Sequence, residues 1–183
     1  MEPVKRPSCA IMVQILWTET QLYWHGKNVT PALKMRSLHR QLQVAAWRVN
    51  GHLGQMSHIF SLRVYYEDTD LGGFVYYANY LKFIERGRSE WVRARGVDQT
   101  RLRAERGLLF VVRHLEADYL APGFFDDALV VETERLQIAG SRIVLAQRVM
   151  RGDTVLFAAR VTLVCVVSGR AVRVPGDIAA RLG

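Results

Sequence analysis

Cysteine is scarce in this 183-residue chain, which has only Cys9 and Cys165, far apart in the sequence. Two distant cysteines do not make a disulfide framework, so a folded domain must depend on its apolar core. Cys165 lies within the apolar run VTLVCVV, where a buried thiol acting as a small hydrophobic side chain is expected. The cysteine usage therefore predicts a protein of a reducing compartment, the cytoplasm.

Long hydrophobic runs are also missing. No apolar stretch reaches the roughly 18 residues that are needed to span a bilayer. Residues 9–17 are apolar and follow two basic residues, but Thr18, Glu19 and Thr20 interrupt the run and no cleavage pattern follows. These features argue against a secretory signal peptide. Half of the residues are hydrophobic, which is enough to bury one core.

Acidic residues are outnumbered, and the formal net charge is +8. The excess is uneven, since residues 1–57 hold seven Lys/Arg against two acids, whereas residues 58–183 hold eighteen against fifteen. A basic chain raises the question of nucleic acid, but there is no RNP-like aromatic pattern, zinc-finger spacing or recognition-helix signature. We therefore expect no nucleic-acid partner.

The first 57 residues differ from the rest of the chain. Within residues 33–49, apolar residues recur at spacings of three and four among several arginines. We interpret residues 1–57 as a basic extension that is mobile, or that precedes a true start at Met56. A membrane-surface helix is the alternative. Residues 58–183 form the predicted folded domain.

Within that domain the hydrophobic period changes from two to about 3.6 and back. HIFSLRVYY, residues 58–66, alternates as a strand does. A helix is predicted from Asn79, its expected N-cap, to Arg95, with Gly96 as C-cap. Its apolar stripe contains Tyr80, Phe83, Ile84, Gly87, Trp91 and Ala94.

Four long strand-like runs follow the predicted helix, with hairpin turns expected at residues 139–141 and 152–153 and one short helix at the end. This order of elements predicts an α+β fold in which one long helix packs against a curved antiparallel sheet of about five strands.

The connection YEDTDLGGFVYYANY, residues 66–80, concentrates carboxylates, glycines and aromatic rings before the predicted helix. An EF-hand loop starting at Asp68 would lack its third ligand, because Gly72 occupies that position, and its closing glutamate, because Asn79 does. We therefore reject a calcium loop and expect no metal. Two interpretations remain: a turn whose carboxylates bind backbone amides, and an active-site loop.

The active-site interpretation depends on the arrangement of the whole segment. The glycine pair Gly72 and Gly73 allows close approach of a ligand to the backbone. The first N–H groups of the following helix have no partner within the helix, and together with the helix dipole they can stabilise an oxyanion. A carboxylate from Asp70 facing the same point would complete the minimum set of groups for attack on an acyl carbonyl.

VYYEDTDLGGFVYYANYLKFIERGR, residues 64–88, closely resembles the signature of the 4-hydroxybenzoyl-CoA thioesterase-like hotdog family. Within this family it is most similar to the Tol–Pal-associated (YbgC-type) acyl-CoA thioesterases of Gram-negative bacteria. The similarity continues through LLFVVRHLEADYLAPGFFDD, residues 108–127, and VLAQRV, residues 144–149. It covers residues 58–183 and implies the hotdog fold, in which a long helix is wrapped by an antiparallel sheet and two sheets join edge to edge in a dimer.

The resemblance assigns roles to single residues. Asp70 becomes the catalytic carboxylate, acting as nucleophile or as general base, and the backbone N–H of Tyr77 polarises the thioester carbonyl. YbgC-type proteins commonly have His where this chain has Tyr77, which removes any step that needs an imidazole there. Glu85 is the rival base, although pairing with Arg88 or Arg86 is its simpler role.

Further residues are implied as substrate contacts. Those at the acyl end are Tyr66, Gly73, Val75 and Tyr76, and the two tyrosines are equally well explained as core packing. Ser141 and Arg142, at a predicted hairpin, are expected to contact the coenzyme A nucleotide, whose phosphates attract basic groups. His114 is expected to be solvated.

The predicted function is hydrolysis of an acyl-CoA thioester to free acid and coenzyme A, without metal or organic cofactor, by a cytoplasmic homodimer or homotetramer. Acyl carrier protein and the inner-membrane surface are further candidate partners. One alternative is a hotdog hydratase or dehydratase, although these usually rely on a His that Tyr77 replaces here. The other is a non-catalytic module that binds acyl-CoA or acyl carrier protein.

Overall fold

The computed structural model describes residues 57–183. The predicted basic extension, its alternative as a membrane-surface helix and the suggested start at Met56 lie outside the described residues, apart from Ser57. The elements, in chain order, are β1 (His58–Arg63), α1 (Asn79–Ala94), α2 (Gln99–Arg106), β2 (Leu108–Tyr119), β3 (Ala128–Ala139), β4 (Arg142–Arg151), β5 (Thr154–Val167), β6 (Arg170–Ala171) and α3 (Gly176–Leu182).

The strands form one antiparallel sheet in the order β1-β3-β4-β5-β2, and the short β6 pairs with β5. Two tight hairpins connect β3 to β4 and β4 to β5, as predicted. Each begins with a glycine in the left-handed region, Gly140 (φ 58°) and Gly152 (φ 55°), which a two-residue hairpin turn requires. With α1 packed on this sheet, the fold is the predicted α+β hotdog arrangement.

Helix α1 packs on the sheet through the predicted stripe, of which Tyr80, Phe83, Ile84, Gly87 and Trp91 are buried. Gly87 allows the closest approach, because a Cβ atom there would lie 2.6 Å from Cγ1 of Val131 on β3. The stripe ends differently from the prediction. Ala94 is exposed and Val92 is buried instead.

A buried polar network fastens α1 to β3 and β4. Gln147, which is 1% exposed, donates through Nε2 to the Ile84 carbonyl (2.8 Å) and to Oγ1 of Thr133 (2.9 Å). Its Oε1 accepts from the Arg88 guanidinium at 3.0 Å. Burial lowers the pKa of Arg88. Because each polar end of Gln147 has a partner, the network fixes the helix on the sheet without leaving an unsatisfied amide.

Several local expectations need correction. β1 is shorter than predicted, because it ends at Arg63 and the chain turns at Tyr66–Asp68. Asn79 is the first residue of α1, and the N-cap is Ala78, which lacks a capping side chain. Gly96 adopts the left-handed conformation one residue beyond the C-cap, Arg95.

Helix α2 was not predicted. It is capped by the Asp98 side chain, which accepts from Arg101 N–H at 3.0 Å, and by Gly107 with a φ of 62°. The predicted short C-terminal helix is present as α3.

Two further expectations concern the interior and the membrane. Cys165 is buried as predicted, and burial raises the pKa of its thiol. Among the described residues, no helix combines the length and the hydropathy that crossing a membrane requires.

Candidate active site

The connection between β1 and α1, residues 64–78, has a buried inner part built around Asp68. The Asp68 side chain is 3% exposed, and its Oδ2 accepts from the Tyr65 N–H at 3.0 Å. The Asp68 carbonyl accepts from the Tyr76 N–H (2.8 Å) and from Nδ2 of Asn79 (2.9 Å). Asp68 and Asn79 therefore tie the loop to the first turn of α1.

The outer part of the loop is built around the exposed Asp70. Its Oδ1 accepts from the N–H groups of Gly72 (2.9 Å) and Phe74 (3.2 Å), and its N–H donates to the Phe74 carbonyl at 2.8 Å. This is the turn-forming role that carboxylates play in such loops. It also fixes the orientation of the carboxylate, and the hydrogen bonds that the described residues make to it reach Oδ1.

Both glycines of the pair are needed, for different reasons. A Cβ at Gly72 would lie 2.9 Å from the Phe74 ring and 3.2 Å from Oδ1 of Asp70, so a side chain there would push against the carboxylate itself. Gly73 has a φ of 78°, which other residues adopt at a cost, while the space beside it is open. The open space is compatible with the predicted approach of a ligand to Gly73.

The segment that follows β2, residues 120–127, supports the loop from outside. Phe74 bridges to Phe124, and the buried Val75 donates its N–H to the Gly123 carbonyl at 2.9 Å. The Gly123 N–H donates to the Tyr80 hydroxyl at 3.0 Å. Tyr80 belongs to α1, and burial raises its pKa to about 12. Gly123 thus connects the loop to the helix.

The start of α1 presents backbone amides beside this loop. Ala78 offers no capping side chain, and the Asn79 N–H donates to the Tyr76 carbonyl at 2.8 Å. The Tyr77 carbonyl accepts from the hydroxyl of Tyr119, the last residue of β2, at 3.1 Å. Sequence reasoning missed Tyr119 as a contact of the site, because 42 positions separate it from Tyr77.

Tyr66 and Tyr76 do not lie in the core. Tyr66 is 78% exposed and stacks on Phe125 with 4.0 Å between ring centroids. Tyr76 is also exposed, and its ring lies against that of Tyr77 at 4.6 Å. The core-packing alternative is therefore wrong for both, and their predicted contact with an acyl group stays a prediction.

Ser141 and Arg142 lie at the other end of the sheet. They line a groove of about 470 Å³ together with Gln137, Ala139, Gly140, Val144 and Thr162. The register pairs Arg63 with Ala128 at the start of β3, whereas Ser141 follows the end of that strand. At about 3.3 Å per residue, β3 separates Ser141 from the Asp70 loop by roughly 35 Å. One chain does not bring the two predicted contacts together.

The remaining candidates are exposed. The side chain of Glu85 accepts from Oγ of Ser89 at 2.7 Å, and the expected pairing with Arg88 or Arg86 is not formed within the described residues. Arg88 is instead engaged by Gln147. Glu85 lies six residues into α1, about 9 Å along the axis from its first residue.

His114 is exposed as predicted, with Nε2 at 3.3 Å from Glu116. Residues 57–183 contain no group of three or more His, Cys, Asp and Glu residues that could hold a metal ion.

The sequence of this chain matches a known protein family and known relatives. The family described as the thioesterase superfamily matches residues 72–158, which include the Asp70 loop from Gly72, α1 and most of the sheet. The acyl-CoA thioesterase YbgC of Haemophilus influenzae is 46% identical over 111 residues, covering 61% of this chain and 82% of that protein.

Solved structures give the same picture. A probable thioesterase from Bartonella henselae aligns with a TM-score of 0.63 at 37% identity, over 66% of this chain and all of that one. A 4-hydroxybenzoyl-CoA thioesterase crystallised with 4-hydroxybenzoyl-CoA aligns with a TM-score of 0.66 over 70% of this chain, and at 20% identity it bears on the fold alone.

Fold and loop together define the class of protein: a hotdog domain that carries an oriented carboxylate on the loop leading into its long helix. The chain belongs to the thioesterase superfamily. The predicted enzyme class, thioester hydrolase, is confirmed at the level of this family.

Proposed function

We propose that this protein hydrolyses an acyl-CoA thioester to the free acid and coenzyme A. The observation that carries the proposal is the exposed Asp70 carboxylate, oriented by two backbone amides on the loop that enters the N-terminus of α1. The relative from Haemophilus influenzae, named an acyl-CoA thioesterase, supports coenzyme A as the carrier.

The reaction needs attack at the thioester carbon and stabilisation of the oxygen that becomes negative. Asp70 either takes a proton from the attacking water or attacks the carbonyl itself to form a mixed anhydride that water then opens. The N–H of Tyr77, at the start of α1, binds the developing oxyanion. The carbon–sulfur bond breaks, the thiolate of coenzyme A leaves, and the proton from water balances its charge.

The acyl group is proposed to bind along the exposed aromatic surface beside Asp70. Tyr66 and Tyr76 supply apolar ring surface, and the open space at Gly73 lets the thioester approach the backbone. Val75, buried beneath the loop, forms its floor. Apolar surface with a few oriented polar groups is what a small-molecule site requires.

A homodimer explains why Ser141 and Arg142 lie far from Asp70. Within residues 57–183, β2 is an edge strand with exposed apolar side chains at Leu109, Val111 and Val112, and such an edge calls for a partner strand. An antiparallel pair of β2 strands around a two-fold axis places the Tyr119 end of one strand beside the Leu108 end of the other.

The same pairing brings the two halves of the predicted site together. The sheet register puts Arg142 at the Leu108 end, because Arg142 pairs with Val164 and Val164 with Val111. We therefore propose that Arg142 and Ser141 of one protomer contact the coenzyme A phosphates bound at Asp70 of the other. A further pairing of dimers would give the homotetramer.

The cellular setting is part of the proposal. Scarce cysteine and the buried, free Cys165 thiol support a cytoplasmic location, where the thioester substrates would be met. Acyl carrier protein presents the same thioester as coenzyme A and is the alternative carrier. The basic excess of residues 1–57 supports contact with the anionic face of the inner membrane, a setting that the resemblance to Tol–Pal-associated thioesterases implies.

The test is hydrolysis of short, long and aromatic acyl-CoAs, and of the matching acyl carrier protein thioesters, by the wild type and by Asp70→Asn. Asp153→Asn, in the exposed β4–β5 hairpin, is the matched control. We expect turnover to fall about 1,000-fold in Asp70→Asn, because a positioned carboxylate contributes about 10²–10⁴-fold. Binding measured by calorimetry should be retained, and light scattering should show a dimer or larger assembly.

Other outcomes would contradict the proposal. Binding without turnover in the wild type would indicate the non-catalytic module, and water addition to an enoyl thioester would indicate a hydratase. Equal turnover in Asp70→Asn and the wild type would remove Asp70 from the mechanism and direct attention to Glu85.

A further inference from the structure

Tyr119 reaches the start of α1 from a distant part of the chain. Its hydroxyl donates to the carbonyl of Tyr77, 42 residues earlier, at 3.1 Å. This bond joins the last residue of β2 to the residue that immediately precedes the N-cap of α1. It therefore links the edge strand of the sheet directly to the backbone of the proposed oxyanion site.

The position of the Tyr119 hydroxyl is set by the sheet. Tyr119 pairs with Phe157 in the β2–β5 register, and their rings meet edge to face at 5.0 Å. The ring also meets Tyr80 of α1 at 5.8 Å and Tyr77 at 6.5 Å, both edge to face. A ring held on three sides keeps its hydroxyl in one place, even though Tyr119 is partly exposed.

The hydrogen bond fixes one of the two peptide groups that flank Tyr77. In the preceding group, the Tyr76 carbonyl accepts from the Asn79 N–H at 2.8 Å. In the following group, the Tyr77 carbonyl accepts from Tyr119. A trans peptide is planar and directs its N–H opposite to its carbonyl, so these two bonds determine where the N–H groups of Tyr77 and Ala78 point.

We infer that Tyr119 is a positioning residue, whose hydroxyl holds the Tyr77–Ala78 peptide and so aims the Ala78 N–H, as a second donor beside the Tyr77 N–H, at the thioester carbonyl. The inference rests on the proposed function. Tyr119 itself touches no reacting atom. A donor on the Tyr77 carbonyl also polarises that peptide, which strengthens the Ala78 N–H as a donor.

Kinetics of Tyr119→Phe test this inference, with Tyr65→Phe as the control. Both changes remove one phenolic oxygen, and the exposed ring of Tyr65 has no assigned contact with the substrate. In Tyr119→Phe we expect kcat to fall about three- to thirty-fold with KM within about twofold. This is less than the roughly 10²–10³-fold loss on removal of an oxyanion donor itself. An unchanged kcat in a folded Tyr119→Phe protein would overturn the inference.

The carbonyl stretching frequency of a bound thioester gives a second measurement that does not depend on turnover. An aromatic acyl-CoA bound to Asp70→Asn should show a carbonyl band shifted to lower frequency by the amide donors. Adding Tyr119→Phe should reduce that shift, whereas adding Tyr65→Phe should not. A role of Tyr119 confined to packing would leave the band unchanged, and that result would overturn the inference.

A third variant guards against failure to fold. 3-Fluorotyrosine at position 119 keeps the shape of the ring and is a stronger hydrogen-bond donor, so the shift of the carbonyl band should increase. A carbonyl band that does not change on substitution with 3-fluorotyrosine would count against the inference. If the proposed function is wrong, the wild type will hydrolyse no thioester. If only this inference is wrong, turnover will depend on Asp70 but will not change in Tyr119→Phe.

Discussion

Two halves of the same loop, centred on aspartates that are only two positions apart, have opposite environments. The inner half, around Asp68 and Asn79, is buried, and its polar groups bind the backbone of the loop and the helix. The outer half, around Asp70 and Gly72, is exposed, and its carboxylate is held by two amides at one oxygen. The comparison shows that exposure and partners, rather than residue type, separate a carboxylate that holds the fold from one available for chemistry.

The largest expected effect comes from Asp70→Asn. The roughly 1,000-fold loss of turnover should leave the free energy of unfolding within about 0.5 kcal/mol of the wild type, because the site is exposed and the amide oxygen can still accept. Urea denaturation measures the second quantity. A loss of stability as large as that expected for Asn79→Ala would show that the outer half stabilises the fold as much as the inner half does.

Asn79→Ala addresses the inner half and should show the reverse pattern. Loss of the bond from Nδ2 to the Asp68 carbonyl, together with a small cavity, should lower the free energy of unfolding by about 2 kcal/mol. Turnover at a temperature where the variant is folded should fall only a few-fold. Lys82→Ala, on the exposed side of the same helix, is the control. Equal free energies of unfolding for Asn79→Ala and Lys82→Ala would contradict the assignment of Asn79 to the buried half that stabilises the loop.

Tyr80, the buried α1 residue whose hydroxyl binds Gly123 beneath the loop, gives the support of the loop a pH dependence. Its pKa is raised by burial from 10.0 to about 12, so the folded state holds this proton more tightly than the unfolded state does. The stability from the protonated hydroxyl is thus complete below pH 10 and is lost as pH rises towards 12. Between about pH 8.5 and pH 11, the wild type should lose about 1–2 kcal/mol more than Tyr80→Phe. Urea denaturation at several pH values measures both losses. An equal loss of stability in the wild type and in Tyr80→Phe would contradict the prediction.

Gly72→Ala should have the smallest effect and fall on the outer half alone. The added Cβ would crowd the Phe74 ring and Oδ1 of Asp70, so kcat should drop about tenfold, equivalent to about 1.4 kcal/mol in the barrier. The free energy of unfolding should change by less than about 1 kcal/mol. Gly176→Ala, where the added atom meets open space, is the control. Full activity in Gly72→Ala would show that the carboxylate tolerates displacement.

The sequence predicted much of the fold, because its signals are periodic. The stripe on α1 and the four long strand-like runs of β2 to β5 are strong signals, and they agree with the observed elements. Helix α2 was not predicted because its segment, QTRLRAER, has one buried residue, Leu102, and therefore almost no apolar period. Its caps, Asp98 and Gly107, were the available signal.

The candidate site was only partly predictable. Asp70 and the amides near Tyr77 follow from a contiguous motif, and a contiguous motif can be seen in one sequence. The roles of Tyr119 and Gly123 depend on contacts between residues more than 40 positions apart, which no local pattern reveals. Asn79 was assigned as a cap because its residue type favours that role, whereas burial against Asp68 decided otherwise.

The loop between β1 and α1 is held by contacts that are remote in sequence, and these contacts affect the order in which the protein folds. Val64 exchanges backbone hydrogen bonds with Asp126 and Asp127, and Val75 bonds to Gly123, so loop closure spans about half of the domain. Such contacts are late to form, because the chain between them must be ordered first. Helix α1 and the β3–β4 and β4–β5 hairpins are local and can form early. Competence for chemistry should therefore be the final event of folding, acquired only after the sheet is complete.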